Sequence, residues 1–253
     1  MTQTHQLKTA GFIAKIGSKQ TQYNDVTILF PFRNLALLAM FDISTTKPIA
    51  KEILISEFQN TLDEALNQPD FVATEIATFI LLQQFLQALN IASKGGSTSI
   101  AVAWIDTSKV WGYCAGDVRM GVISGKSLVW FSPVHTGANI DSPFTDELKQ
   151  HPQRNILTRV LRPHRQFIPE FFEFTIAEGD LFLAATDGFW CDPSWCSWLS
   201  LKEQPEKPPH DDCTCIWFNV SNLLSSKHPE LRNEQLVLNT KYQEIDISKN
   251  ALS

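Results

Sequence analysis

Four aspartates stand beside hydrophobic runs that have the composition of core strands. Asp25 precedes VTILF, Asp42 closes LALLAMF, Asp187 closes LFLAAT, and Asp211 lies just before CTCIWF. Carboxylates that a fold brings to one end of a sheet repel each other, so cations must compensate them if they are to stay ionised. Ligand sets made only of oxygen suit Mg²⁺ or Mn²⁺. The pattern is compatible with a divalent metal site, although aspartates at strand ends can also be ordinary turn formers or helix caps.

The strands that would position these carboxylates are indicated by alternating or continuous apolar residues. Leu35–Asp42 is almost wholly apolar, which is typical of a buried central strand. The full set of predicted strands is Gly11–Gly17, Val26–Phe30, Leu35–Asp42, Thr98–Ile105, Lys109–Ala115, Met120–Ser124, Ser127–Phe131, Phe171–Ile176, Asp180–Thr186 and Cys213–Val220.

Two helices are predicted between the third and fourth strands. Apolar residues recur at helical spacing after Pro48 and again after Pro69, until the Gly95-Gly96 pair interrupts the pattern. Residues 132–165 show no sustained period and are expected to form a long connection or short helices. Strands, a helix pair and then many strands favour an α+β or layered sandwich with helices packed on sheets.

The composition excludes several classes of protein. The chain has 253 residues and a formal charge of −6, from 21 Lys and Arg against 27 Asp and Glu, which argues against a general nucleic-acid binder. No leader pattern and no apolar run of membrane-spanning length are visible. We therefore expect a cytoplasmic protein with reduced cysteines and no membrane partner. His135 has no partner at a suggestive spacing, and we expect it at the surface.

Six short segments, in order along the chain, resemble motifs of the metal-dependent protein phosphatases, the type 2C Ser/Thr phosphatase family. The matching family motifs are GGSTA, GDSR, a DHS-like segment, LTRxLG, GDxLLLxSDGLWD and DNxT. The corresponding segments here are Gly95–Thr98, Ala115–Arg119, Pro133–Thr136, Leu157–Leu161, Glu178–Trp190 and Asp211–Thr214.

The resemblance implies a fold and a division of the chain. The fold would be α+β, a four-layer αββα sandwich of two antiparallel sheets flanked by helix pairs. Residues 1–220 would form the type 2C phosphatase-like domain. Residues 221–253 would be a C-terminal extension of unknown structure.

The resemblance also implies a binuclear Mn²⁺ or Mg²⁺ centre that hydrolyses phosphoserine and phosphothreonine in a phosphoprotein substrate. Asp42, Asp187 and Asp211 match metal-ligand positions, and Asp25 would act directly or through metal-bound water. Asp25 and Asp42 would carry the catalysis. Two further ligands are implied, the backbone carbonyl of Ile43 and, for a third and weaker metal, the side chain of Asp117.

Three departures from the family pattern fall in the expected site. Asn24 stands where the family has a glutamate, and Ser44 stands where it has a histidine proposed as general acid. Gln20 replaces an arginine that grips phosphate, with Lys19 beside it as a point-charge substitute. Two functions therefore stay open, a metal-dependent phosphatase and a pseudophosphatase that binds phosphoproteins as a regulatory module. A hydrolase of nucleotides or small phosphates on the same fold is a third.

Overall fold

Two antiparallel sheets form the framework of the protein in the computed structural model, which describes residues 10–18, 23–125, 127–192, 209–225 and 236–238. The five-stranded sheet has the order β1 (Ala10–Lys15), β10 (Cys213–Asn219), β9 (Leu181–Ala185), β6 (Arg119–Ser124) and β7 (Ser127–Trp130). The six-stranded sheet has the order β11 (Leu236–Leu238), β2 (Asp25–Phe32), β3 (Leu35–Ile43), β4 (Thr98–Ile105), β5 (Lys109–Ala115) and β8 (Glu170–Thr175).

The main core lies between the two sheets. Leu38 and Met40 of β3 belong to it, together with Phe182 of β9 and Phe218 of β10. The alternate residues of β3, such as Phe41, face the opposite side of the same sheet. Because β3 is buried on both faces, nearly every position along it must be apolar, as its sequence predicts.

Two long helices cover the outer face of the six-stranded sheet. They are α1 (Lys51–Leu66) and α2 (Glu75–Ala92), and Thr74 caps α2 by accepting a hydrogen bond from Ala77 N. Phe41 of β3, Phe58 of α1 and Phe85 of α2 pack edge to face, with ring centroids 5.1–6.0 Å apart. This aromatic contact fixes the helix pair on the sheet.

The outer face of the five-stranded sheet is covered differently in the described part of the chain. The short helix α3 (Asp187–Trp190) packs there, and Phe144 from the connection 132–165 meets the Trp190 ring edge to face at 5.4 Å. The α+β sandwich of two antiparallel sheets is thus confirmed. Its long helix pair, within the described ranges, lies on one side.

The connection 132–165 contains one 3-10 turn, Asp146–Gln150, and otherwise irregular backbone. An isolated bridge within this segment joins Thr136 to Leu157, and a second one, between Leu161 and Thr98, attaches the segment to β4. The prediction of a long connection is confirmed. No helix within the described ranges is long and apolar enough to cross a membrane.

The C-terminal part begins with α4 (Val220–Ser225), and β11 pairs with β2 at the edge of the six-stranded sheet. Three residues of the proposed extension 221–253 therefore belong to the sheet. The division of the chain at residue 220 stays a prediction.

Candidate functional site

Asp25 and Asp42 are opposite each other on neighbouring strands. Asp25 begins β2 and Asp42 lies one residue before the end of β3, and the register of the two strands pairs them directly. Asp25 is fully buried, and no hydrogen bond or ion pair joins the Asp42 carboxylate to any described residue. Antiparallel pairing thus forces two carboxylates together at one end of the sheet.

Two threonines from the five-stranded sheet and its strand ends form hydrogen bonds with Asp25. Thr186 Oγ1 and Thr214 Oγ1 donate hydrogen bonds to Asp25 Oδ2, at 2.8 and 2.5 Å. The Tyr23 hydroxyl is hydrogen-bonded to Thr214 Oγ1. Because Thr214 donates its only hydroxyl proton to Asp25, Tyr23 is the donor in this bond. Asp25 Oδ1 is buried and has no hydrogen-bond partner among the described groups.

The predicted carboxylates lie close enough for their charges to affect one another. Burial, first, and then the charges of Asp25, Asp187, Asp117 and Asp211 raise the pKa of Asp42 well above its usual range. Burial is also the main cause of the raised pKa of Asp25. Among the described residues no cation is paired with the Asp42 carboxylate, and a bound cation would favour ionisation of these groups.

Asp117 lies in the turn between β5 and β6, and its charge acts on Asp42. Ser99 Oγ donates to Asp117 Oδ1 at 2.8 Å. Gly116 before it has a φ of +107°, and a Cβ there would lie 2.3 Å from Ser99 Oγ, so the turn needs glycine. Burial and the charge of Asp187 raise the pKa of Asp117 to about 7.

Asp187 begins α3 and is already paired with a cation of the chain. Arg154 Nη2 donates to Asp187 Oδ2 at 2.6 Å and lies 3.9 Å from Asp117 Oδ2. Arg154 belongs to the connection 132–165, which has no periodic pattern. Sequence reasoning therefore missed it.

Asp211 and its neighbour Asp212 have different surroundings. Asp211 Oδ1 accepts from Asp212 N at 2.9 Å. The Asp212 carboxylate is tied to backbone, because Oδ1 accepts from Gly17 N at 2.9 Å and Oδ2 from Asn24 N at 2.7 Å. Asp212 thus clamps the chain that leads into β2, a role not anticipated from the sequence.

The metal-ligand and phosphate-binding roles predicted from the sequence all stay predictions, those of Ile43, Lys19 and Gln20 included. Ile43 is the last residue of β3, directly after Asp42, and the ligand role of its carbonyl remains a prediction. Lys19 and Gln20, the predicted phosphate-binding residues, lie outside the described residues. Ser44 accepts a backbone hydrogen bond from Lys47 N at 3.4 Å, so its hydroxyl caps a turn.

The expectation that His135 lies at the surface is wrong. Its side chain is buried, with Nδ1 accepting from Gly116 N at 3.2 Å and Nε2 lying 3.0 Å from Glu170 Oε2. Arg159 Nη1 donates to the same glutamate oxygen at 3.0 Å. Long-range packing of the connection 132–165 buries this histidine against the turn that carries Asp117.

Lys51 is a further cation near the acidic cluster that sequence reasoning missed. It opens α1, its Nζ donates to the backbone oxygen of Tyr23, and it lies 4.9 Å from the centre of the Tyr23 ring. Burial lowers the pKa of Lys51, while the charges of Asp25 and Asp212 act in the opposite direction.

The donor chemistry fits a divalent metal ion on one side of the cluster. Among the described residues, Asp25 Oδ1 is buried without a hydrogen-bond partner and the Asp42 carboxylate has no ion pair, and hard cations prefer such oxygens. On the other side, Asp117 and Asp187 already face Arg154. In the described ranges, no three His, Cys, Asp or Glu side chains are gathered into a preformed metal cage.

Comparisons with known proteins place this arrangement in a known fold. The sequence matches no family model and no curated protein. Solved structures do match: serine/threonine phosphatase Stp1 from Staphylococcus aureus is 19% identical with a TM-score of 0.64, over 84% of this chain and 94% of that one. The phosphatase PstP/Ppp of Mycobacterium tuberculosis is 16% identical with a TM-score of 0.62, over 81% and 95%. This chain has the fold of the metal-dependent PPM-type Ser/Thr phosphatases.

One matching structure also contains metal. It is the catalytic domain of PstP in complex with two manganese ions, 13% identical to this chain with a TM-score of 0.57, over 81% of this chain and 95% of that one. The resemblance seen in the short motifs is therefore confirmed at the level of the fold. At these identities the comparison does not extend to activity.

Proposed function

We propose that this chain is a metal-dependent phosphomonoester hydrolase that removes phosphate from phosphoserine and phosphothreonine in proteins. The observation that carries the proposal is the pairing of Asp25 with Asp42 inside a cluster of carboxylates in which no described cation is paired with Asp42. The PPM fold and the two manganese ions of PstP support the same interpretation.

Asp25, Asp42 and Asp211 are the residues that would hold Mn²⁺ or Mg²⁺. Two divalent ions bound there would lower the pKa of a water molecule and offset charge on the phosphoryl oxygens. The part played by Thr186 and Thr214 is orientation. Their hydrogen bonds to Asp25 Oδ2 hold the carboxylate in place, and Oδ1, which has no partner among the described groups, would then be the oxygen that binds metal.

Several residue roles belong to the proposal as well. Lys19 and Gln20 would contact the substrate phosphate, and the Ile43 carbonyl would add a ligand. Ser44 cannot supply a proton near neutral pH, so the leaving serine or threonine alkoxide would take its proton from solvent. We propose a cytoplasmic protein whose partner is a phosphoprotein.

A pseudophosphatase is the second candidate, and one contact favours it. Arg154 pairs with Asp187, which the family motif would use as a metal ligand. Asn24 and Ser44 remove a charge and a proton donor in the same region. Under this alternative the acidic cluster would bind at most one ion, and the chain would bind phosphoproteins without turnover.

Hydrolysis of p-nitrophenyl phosphate and of a phosphothreonine peptide separates the two functions. Turnover should require Mn²⁺ or Mg²⁺, stop with EDTA, and disappear in Asp42→Asn and Asp25→Asn. Asp70→Asn is the matched control, because Asp70 is an exposed aspartate in the turn before α2. Release of phosphate at equal rates from the wild type and Asp42→Asn, or from neither, would rule out the enzyme.

A further inference from the structure

The guanidinium of Arg154 lies between two carboxylates of the acidic cluster. Its Nη2 is 2.6 Å from Asp187 Oδ2 and 3.9 Å from Asp117 Oδ2. The three side chains are 10%, 15% and 6% exposed, respectively, so solvent screens the contacts little. Arg154 is the cation that the described residues supply directly to this pair of aspartates.

The surroundings hold Arg154 in this position. Its backbone N–H donates to His151 O at 3.0 Å, and its guanidinium lies 5.3 Å from the centre of the Trp190 ring. Asn155 Oδ1 accepts a further hydrogen bond from Nη1. Trp190 in turn donates from Nε1 to the backbone oxygen of Asp117 at 2.8 Å, so one indole links the cation to its carboxylate partner.

Asp117 and Asp187 face a permanent cation, whereas Asp25 and Asp42 form no ion pair with any described residue. Arginine keeps its charge in proteins; burial by itself lowers the pKa of Arg154, but the neighbouring charges, Asp187 foremost, more than offset this and leave the pKa raised. A divalent ion placed between Asp117 and Asp187 would stand beside a permanent positive charge in a poorly screened site, and the two cations would repel each other. Asp25 and Asp42 have no such ion pair in the described ranges, so only their side of the cluster stays open to metal.

We propose that Arg154 takes the place of a metal ion between Asp117 and Asp187, so that metal binding is confined to the side of the cluster formed by Asp25, Asp42 and Asp211. This inference rests on the proposed metal dependence but not on turnover. It assigns Arg154 a positioning role, since it also ties the connection 132–165 to α3. It also makes Asp117 a partner of arginine rather than a metal ligand in this chain.

The number of Mn²⁺ ions bound per chain tests the proposal directly. Metal-free wild type, Arg154→Met and Arg154→Lys are titrated with Mn²⁺ by isothermal calorimetry, and bound metal is counted after equilibrium dialysis. Arg154→Met should bind one more ion than the wild type, whereas Arg154→Lys, which keeps the charge, should not. Arg162→Met is the matched control, because Arg162 is an exposed arginine of the same segment.

A second set of variants keeps the test valid if Arg154→Met does not fold. Asp117→Asn in the wild-type background needs no change at Arg154 and should leave the number of Mn²⁺ ions unchanged. Where Arg154→Met does fold, adding Asp117→Asn to it should abolish the additional ion. Equal Mn²⁺ content in the wild type and Arg154→Met, including none in both, overturns the inference. So does the loss of an ion in Asp117→Asn alone. If Arg154→Met binds an additional ion but the wild type has no phosphatase activity, the inference about Arg154 is supported and the proposed enzyme is refuted.

Discussion

Thr214 Oγ1 of the five-stranded sheet donates a 2.5 Å hydrogen bond to Asp25 Oδ2 of the six-stranded sheet. The bond therefore crosses the core at the edge where the carboxylates gather. Thr186 adds a second bond to the same oxygen, and its own Oγ1 accepts from Thr214 N at 3.0 Å. Through these contacts, the packing of the two sheets and the orientation of Asp25 depend on each other.

Thr214→Val should destabilise the protein and weaken its affinity for Mn²⁺. A buried hydrogen bond contributes about 0.5–1.5 kcal/mol, and more when its partner is ionised, and valine leaves Asp25 Oδ2 with one donor instead of two. Urea unfolding measures the first effect, and Mn²⁺ titration measures the second.

Thr27→Val is the matched control for Thr214→Val. Thr27 is a fully buried threonine of β2, and its hydroxyl has no hydrogen-bond partner among the described groups. Its replacement by valine should therefore be neutral or stabilising. Equal unfolding midpoints for the two valine variants would contradict the role of Thr214.

Asp42→Asn should stabilise the metal-free protein and abolish its stabilisation by Mn²⁺. The substitution removes one of several carboxylates that repel each other, and a relief of about 1 kcal/mol is reasonable for a cluster of this kind. Thermal unfolding in EDTA measures the stability of the metal-free protein, and the same measurement in Mn²⁺ gives the stabilisation by metal. A variant less stable than the wild type in EDTA would show that the Asp42 charge is compensated by the protein itself.

Much of this site was predictable because its aspartates flank strongly apolar strands. The LALLAMF run identifies β3 as a central strand, and antiparallel pairing then brings Asp42 to the end where Asp25 begins β2. Asp117 had no such signal in the strand pattern. It was predicted only because the turn Ala115–Arg119 resembles a family motif.

The residues that sequence reasoning missed act over long separations. Arg154 and His135 lie in irregular backbone, where no period predicts which side chains turn inward. Thr186 and Thr214 are ordinary residues for strands and their ends, so their hydroxyl groups carry no signal in the sequence. Their roles depend on tertiary packing, which joins Thr214 to Asp25 across 189 positions.

The stability of the metal-free protein should decrease as the pH rises from about 4 to about 7 and slightly beyond. Folding raises the pKa of Asp25, of Asp42 and of Asp117, the last to about 7. A carboxyl group with a raised pKa stabilises the folded chain below its unfolded pKa, and this contribution is lost as the pH rises through the folded pKa. Each pKa unit corresponds to at most about 1.4 kcal/mol.

Urea unfolding in EDTA at a series of pH values measures this dependence, and the same series in saturating Mn²⁺ is its control. Metal binds the ionised carboxylates, so the stabilisation by Mn²⁺ should grow with pH over the same interval. A metal-free protein that becomes more stable between pH 5 and 7 would contradict the shared burial of these carboxyl groups.

Gly188→Ala should be among the most damaging single substitutions near the site. Gly188 follows Asp187, and a Cβ there would lie 2.0 Å from the backbone oxygen of Asp212, far inside contact distance. The segment that carries Asp211 would have to move away from Asp187, which should cost about 2–4 kcal/mol of stability and reduce Mn²⁺ affinity. Gly137→Ala is the comparison, because its nearest atoms, those of Gln153, lie at 3.2 Å. If both alanine variants keep wild-type stability and Mn²⁺ affinity, close contact between α3 and the Asp211–Asp212 turn is not what fixes the distance between Asp187 and Asp211.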